Sequence, residues 1–193
     1  ICASSCWAMP KTEGLIMLKR LLMVLCVCLA GCGGVDVQQY EAQNPRLDMP
    51  GFFVGRVDGW GMFQKRSGEV VKRFHVLINS RMEGPNLIMH EDFTYSDGTK
   101  QTRVWTVRPD GPGRWRGTAG DVVGEAGGES AGNALHWRYV LSLPVDGKVY
   151  DVHMDDWMYL IDENTLANRT AMTKFGFEVG QVTLFFRRHG AQL

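Results

Sequence analysis

Three ionisable residues occupy positions that their neighbours reserve for apolar side chains. In the run Leu87–Tyr95, Glu91 alternates with Leu87, Met89, Phe93 and Tyr95. Arg103 shares a strand face with Trp105 and Val107, and Asp156 shares one with Tyr150, Val152, Met154, Met158 and Leu160. An ionised group among such residues is costly unless it is paired and hydrogen-bonded. Arg103 is therefore expected to pair with Glu91, with Asp156, or with both. Such a cluster has two uses. It can receive the polar head of an amphipathic ligand whose tail lies along the apolar lining, or it can be an ion pair that fixes strand register. For the first use the candidate contacts are Glu91, Arg103, Trp105, Tyr139, Met154, Asp156 and Met158. A carboxyl whose titration is shifted by burial could also act as acid or base on a lipid, with Glu91 or Asp156 in that role.

Other constellations are weaker. His153 with Asp155, and His90 with Asp92, stand two residues apart on one strand face. That spacing suits a metal or proton transfer, but the faces are the polar ones, where solvated side chains belong. No metal site and no cofactor are expected. There is no Gly-x-Ser-x-Gly elbow, and Ser130 in Gly127–Gly132 reads as part of a loose turn. No glycine-rich loop of the phosphate-binding type is present. With 21 basic and 21 acidic residues, and no basic stripe, the chain offers nothing for nucleic acid.

These residues need strands to position them. From Phe52 onward, runs of Val, Phe, Tyr, Trp and Thr alternate with polar residues and are broken by Ser67-Gly68, Asp97-Gly98, Asp110-Gly111-Pro112-Gly113 and Asp146-Gly147. Strands are predicted near Phe53–Gln64, Val70–Asn79, Leu87–Tyr95, Gln101–Arg108, Arg114–Val123, Ala134–Leu143, Val149–Ile161, Thr165–Lys174 and Val179–Arg188. Short antiparallel strands joined by tight turns make an all-β sheet, which must close or sandwich to hide its edges. Trp137, Tyr139, Leu141 and Leu143 form another apolar face. A helix is expected only before the first strand or after Gly176.

The start of the chain has a different organisation. Met17-Leu18-Lys19-Arg20 is a basic segment, Leu21–Leu29 is apolar throughout, and Leu29-Ala30-Gly31-Cys32 follows. That order is a secretory signal, and its apolar stretch is too short to cross a hydrocarbon core of ~30 Å as a helix. The ending resembles the lipobox of bacterial lipoproteins. The resemblance implies lipid on the Cys32 thiol, cleavage before that residue, and a membrane as the partner of the anchored chain. Gly33 after the cysteine implies the periplasmic face of the outer membrane by the sorting rule of enterobacterial lipoproteins. Residues 1–16 are expected to lie upstream of the true start at Met17. Residues 17–31 form the signal, 32–50 a tether rich in Gly, Gln, Asn and Pro, and 51–193 the folded domain. Cys32 would be the sole cysteine left after cleavage, so no disulfide is expected.

Several motifs resemble one family. Gly59-Trp60-Gly61, Glu91–Gly98, Arg103-Val104-Trp105, Asp155–Tyr159 and Asn168-Arg169 are similar to those of the bacterial lipoprotein family labelled domain of unknown function 3833. The likeness extends over Val35–Arg188, and Asp155-Asp156-Trp157-Met158-Tyr159 is its most specific part. It implies a lipocalin-like, antiparallel up-and-down β-barrel of eight to nine strands, with no activity assigned. In the first predicted strand the Gly-x-Trp of true lipocalins is absent, since Gly59 directly precedes Trp60. Three functions then stand open: a lipoprotein that binds or carries a lipid or fatty-acid-like ligand, an enzyme acting on lipid, and a structural or assembly lipoprotein with a filled core. An interior cavity of roughly 300 Å³ or more would favour binding.

Overall fold

The computed structural model describes residues 34–145 and 147–189. Cys32, the signal and the upstream segment lie outside the described residues. The body is a closed antiparallel barrel of ten strands in simple sequential order. They are β1 (Gly55–Lys65), β2 (Val70–Glu83), β3 (Asn86–Tyr95), β4 (Lys100–Pro109), β5 (Arg114–Thr118), β6 (Ala126–Ala131), β7 (Ala134–Val145), β8 (Lys148–Asp162), β9 (Thr165–Lys174) and β10 (Phe177–Arg188). β1 pairs with β2 on one side and with β10 on the other, from Val57 opposite Arg188 to Lys65 opposite Gly180. Closure leaves the strands of this sheet no free edge. Alternation then decides what is inside. Val76, Ile78, Leu87, Met89, Trp105, Val107, Val152 and Leu166 are buried in one core.

The barrel has one strand more than the upper number expected. The predicted fifth strand, Arg114–Val123, stops at Thr118, and the glycine-rich stretch read as a loose turn contains β6. The glycines have a packing reason. A Cβ on Gly128 would collide with the Trp137 ring, and one on Gly117 would lie 2.7 Å from its Cζ2 atom. The indole of Trp137 thus lies across two neighbouring strands that are kept bare to admit it. The expected turns are present elsewhere. In the β3–β4 hairpin Gly98 has φ +82°, and Asp97 accepts hydrogen bonds from the Thr99 backbone N–H (3.0 Å) and hydroxyl (2.6 Å).

Residues expected to be a free tether are packed from Asp36 onward. Asp36 accepts a hydrogen bond from the Gln38 N–H at the start of a 3-10 helix, Val37–Tyr40. Val37 packs with Ala131 and Ala134 near the β6–β7 turn. The Leu47 N–H donates to the Gly132 carbonyl (2.8 Å). Helix α1 (Met49–Phe53) begins with Pro50 in its first turn, where a missing N–H costs nothing, and buries Met49, Phe52 and Phe53. Phe53 meets Phe186 of β10 edge-on, with ring centroids 5.6 Å apart. α1 therefore plugs one end of the barrel. At the other end Phe63, Phe93 and Tyr95 are only partly buried.

Gly132 is the position on which this docking turns. Its φ is +53°, and a Cβ there would collide with the Tyr40 carbonyl. Gly132→Ala is expected to cost about 1–3 kcal/mol through backbone strain and loss of that contact. Denaturant unfolding should register the loss, together with faster proteolysis in residues 36–46 than in the strands.

Candidate functional site

A cavity of about 130 Å³ lies inside the barrel. Its lining runs from Met49 and Phe53 at the plugged end to Phe63 and Tyr95 near the other. Glu91, Arg103, Trp105, Tyr139, Met154, Asp156 and Met158 all face it. The volume is well below the roughly 300 Å³ set as the mark for binding. It is close to the ~150 Å³ of an engineered apolar cavity that admits benzene. The walls are neither wholly filled nor open to a large ligand. Four methionines, Met49, Met89, Met154 and Met158, are among them and are the side chains best able to repack.

The register explains why the charges meet. Glu91 of β3 stands directly opposite Arg103 of β4, and Asp156 of β8 lies between Trp137 of β7 and Thr170 of β9. Arg103 forms the expected ion pair with Glu91, but its hydrogen bonds go to another carboxylate. Its Nε donates to both oxygens of Asp121 (2.9 and 3.0 Å), and its Nη2 donates to Oδ2 (2.7 Å). Glu91 is more distant, with Oε2 at 3.7 Å from Nη1. The guanidinium also sits 5.5 Å from the centroid of the Phe93 ring. Asp156 is not a partner of Arg103. Its Oδ1 accepts from the Asn168 side-chain amide and from the Thr170 hydroxyl (3.0 Å). Asn168 is held in turn by the Trp157 carbonyl, to which it donates at 3.1 Å.

Asp121, Asn168 and Thr170 were not among the sequence candidates. Asp121 lies in the loop after β5, and nothing in its spacing marks it. Its backbone is fixed by an N–H bond from Ser142 (2.8 Å) and by the neighbouring Val122–Leu141 bridge. Asn168 and Thr170 did carry a signal. They alternate with Leu166 and Met172, which places them on the inward face of β9.

Low polarity controls the titration of this cluster. Burial pushes the Glu91 carboxyl up to about 7; Arg103 opposes this, while Asp121 and Asp156 add to it. Burial pushes Asp156 up to about 6 against the hydrogen bonds from Asn168 and Thr170. The Tyr139 hydroxyl is raised by burial and then by the charge of Asp156. Burial disfavours the charged form of Arg103, yet Asp121 and Glu91 together hold it above its ordinary value. The arrangement is thus a permanent cation with one close carboxylate, and two further carboxyls that change charge near neutrality.

The histidine pairs lie elsewhere. His90, Asp92, His153 and Asp155 are all exposed. Asp155 pairs with His136, and His90 lies 3.4 Å from an Arg81 nitrogen.

Residues 26–188 match the family described as Protein of unknown function (DUF3833). The chain belongs to this family. No curated protein matches the DUF3833 chain. Among solved structures it resembles an S-type phycobiliprotein lyase, CPES, from Guillardia theta, with a TM-score of 0.55 and 5% identity over 81% of this chain and 99% of that one. It also resembles Rv2717c from M. tuberculosis, with a TM-score of 0.56 and 15% identity over 77% of this chain and 99% of that one. At such identity the likeness concerns the fold, and it agrees with a lipocalin-like antiparallel barrel.

The charge cluster of the DUF3833 barrel has a measurable consequence. A carboxyl raised in the folded state gives stability that is full below its unfolded value and is lost as pH rises through the folded one. For Glu91 that window runs from about 4.5 to about 7. Glu91→Gln is therefore expected to flatten the fall in unfolding free energy between pH 5 and pH 8, by something on the order of 2–3 kcal/mol. Urea titrations of both proteins at the two pH values would measure it. An equal pH dependence in wild type and variant would remove Glu91 as its source.

Proposed function

We propose that this protein binds a small amphipathic, lipid-like ligand inside its barrel and is held at a membrane by lipid on Cys32. The observation that carries the binding reading is the lining of the cavity, since its volume alone falls short of a typical ligand site. A half-open space with aromatic and methionine walls and a few convergent polar groups is how small-molecule sites are built. Each wall residue contributes contact area, while the cluster of Glu91, Arg103, Asp156 and Tyr139 orients the polar end.

The size of the space shapes the proposal. With about 130 Å³ available, only a part of a long acyl chain is enclosed. The remainder extends past Phe63 and Tyr95, or the methionines move to admit it. Long-chain ligands in this reading are bound partly exposed, as cargo that is passed on.

The lipidated cysteine gives this activity its place. Two or three acyl chains on one residue anchor a protein stably, because each buried methylene contributes about 0.8 kcal/mol. The periplasmic side of the outer membrane is the proposed site of work. A second reading, chemistry on the bound molecule, is favoured by one observation. Glu91 titrates near neutrality, as a general acid or base requires.

Native mass spectrometry of the chain extracted from its membrane is expected to show a co-purifying small molecule, lost on organic extraction. Its absence under every gentle condition would favour a filled, structural barrel. Conversion of a captured molecule by wild type and not by Glu91→Gln would move the second reading ahead. Cys32→Ser is expected to release the protein from the membrane fraction and to abolish incorporation of labelled palmitate.

A further inference from the structure

The polar cluster of the cavity is electrically unbalanced. Among the described residues Arg103 is the only base on the cavity lining, whereas Glu91 and Asp156 both face the space. Its fork is already committed, with Nε and Nη2 on Asp121 and Nη1 turned towards Glu91 at 3.7 Å. The Nη1 edge of the guanidinium makes no hydrogen bond among the described residues but faces Glu91, so an incoming anion would have to compete with that carboxyl for it. The carboxyls are in the opposite condition. Glu91 is 9% exposed and has only the Trp105 side chain and the Arg103 Nη1, at 3.7 Å, as near donors among the described residues. Asp156 is 6% exposed, and both of its hydrogen bonds arrive at Oδ1, leaving Oδ2 without one among the described residues. Carboxyl oxygens that face the cavity with so few donors have acceptor capacity left for water or a ligand.

Taking the ligand-binding reading of the barrel as its basis, we infer that the polar group of the ligand is a protonated amine seated against Glu91 and Asp156, and that a free carboxylate is excluded. An ammonium carries three donors and no acceptor, which complements two carboxyls with spare acceptor oxygens. It also offsets their charge in a site of low polarity. A carboxylate head would instead add a further anion to Glu91, Asp121 and Asp156, around a single cation already set between Asp121 and Glu91.

The pH dependence of binding follows from every charged or titratable group around the site. From β3 these are Glu91 and Tyr95, from β4 Arg103, from the loop after β5 Asp121, from β7 Tyr139, and from β8 Asp156 with the outward Asp155 behind it. Arg103 stays charged, and the two tyrosines stay neutral because burial raises both. Glu91 and Asp156 are the groups that change between pH 5 and 8. An amine is protonated throughout that range, so its affinity rises with pH, and protons are released from the carboxyls as it binds.

The test uses the full chain in phosphatidylcholine nanodiscs, titrated with octylamine, octanol and octanoate by calorimetry against empty nanodiscs. The expected order is octylamine, then octanol, then octanoate, with amine and carboxylate separated by about 100-fold. The ratio of amine to alcohol affinity is expected to fall about tenfold in Glu91→Gln or in Asp156→Asn, whichever folds. Octanoate binding as tightly as octylamine would overturn this inference and leave the binding reading intact. No binding of any of the three above empty nanodiscs would overturn the binding reading, and this inference with it.

Discussion

The pairing of β1 with β10 is the constraint from which the rest of the molecule follows. Once those strands join, the sheet has no edge, and every strand residue must be either inside or outside. The inside is then filled from ten directions at once. Large rings such as Trp105 and Trp137 can enter only where a neighbouring strand has no side chain, which is why Gly117 and Gly128 stand where they do. α1 supplies the last piece by placing Met49, Phe52 and Phe53 over one end. What stays unfilled is the space beside the charged residues, where tight apolar packing would have left carboxyls without partners.

Closure also sets the electrostatics. Glu91, Arg103 and Asp156 come from three strands, and their side chains turn inward only because the register is held all the way round. Inside, the interaction of charges is strong and their hydration is poor. Arg103 answers this by engaging Asp121 from a loop, and Asp156 by drawing on Asn168 and Thr170. Glu91 has the least support, and burial shifts it the furthest towards neutrality of the two inward carboxyls. An interior of this kind is ready for a polar partner in a way that an all-apolar core is not.

Much of this was legible along the chain. The inward faces of β3, β4, β7 and β8 could be read residue by residue, and the cavity-lining candidates came from that alternation. Other features were hidden for identifiable reasons. Gly127 and Gly128 have the composition of a turn, and only their pairing with β5 and β7 shows them to be strand. Residues 36–50 have the composition of a tether, yet Val37, Leu47 and Met49 find buried places on a surface made by distant strands. Arg103 was expected to pair with Glu91, Asp156 or both, because both were visibly misplaced among apolar residues; it meets Glu91 at 3.7 Å and gives its hydrogen bonds to Asp121. Asp121 was not misplaced in any visible way.

The sequence by itself determined the all-β class, the faces of most strands, the lipobox-like segment ending at Cys32, and the presence of ionised residues on an apolar face. Each of these rests on a pattern spanning a few neighbouring residues, where the two-residue period of a strand acts directly. The tertiary structure decided the tenth strand, the docking of the N-terminal segment, the partner of Arg103 and the size of the cavity. Those depend on which residues meet across the closed barrel, and that is set by register and by the paths of loops. A guanidinium takes the carboxylate that reaches it in space, and Asp121 reaches Arg103 from 18 residues away.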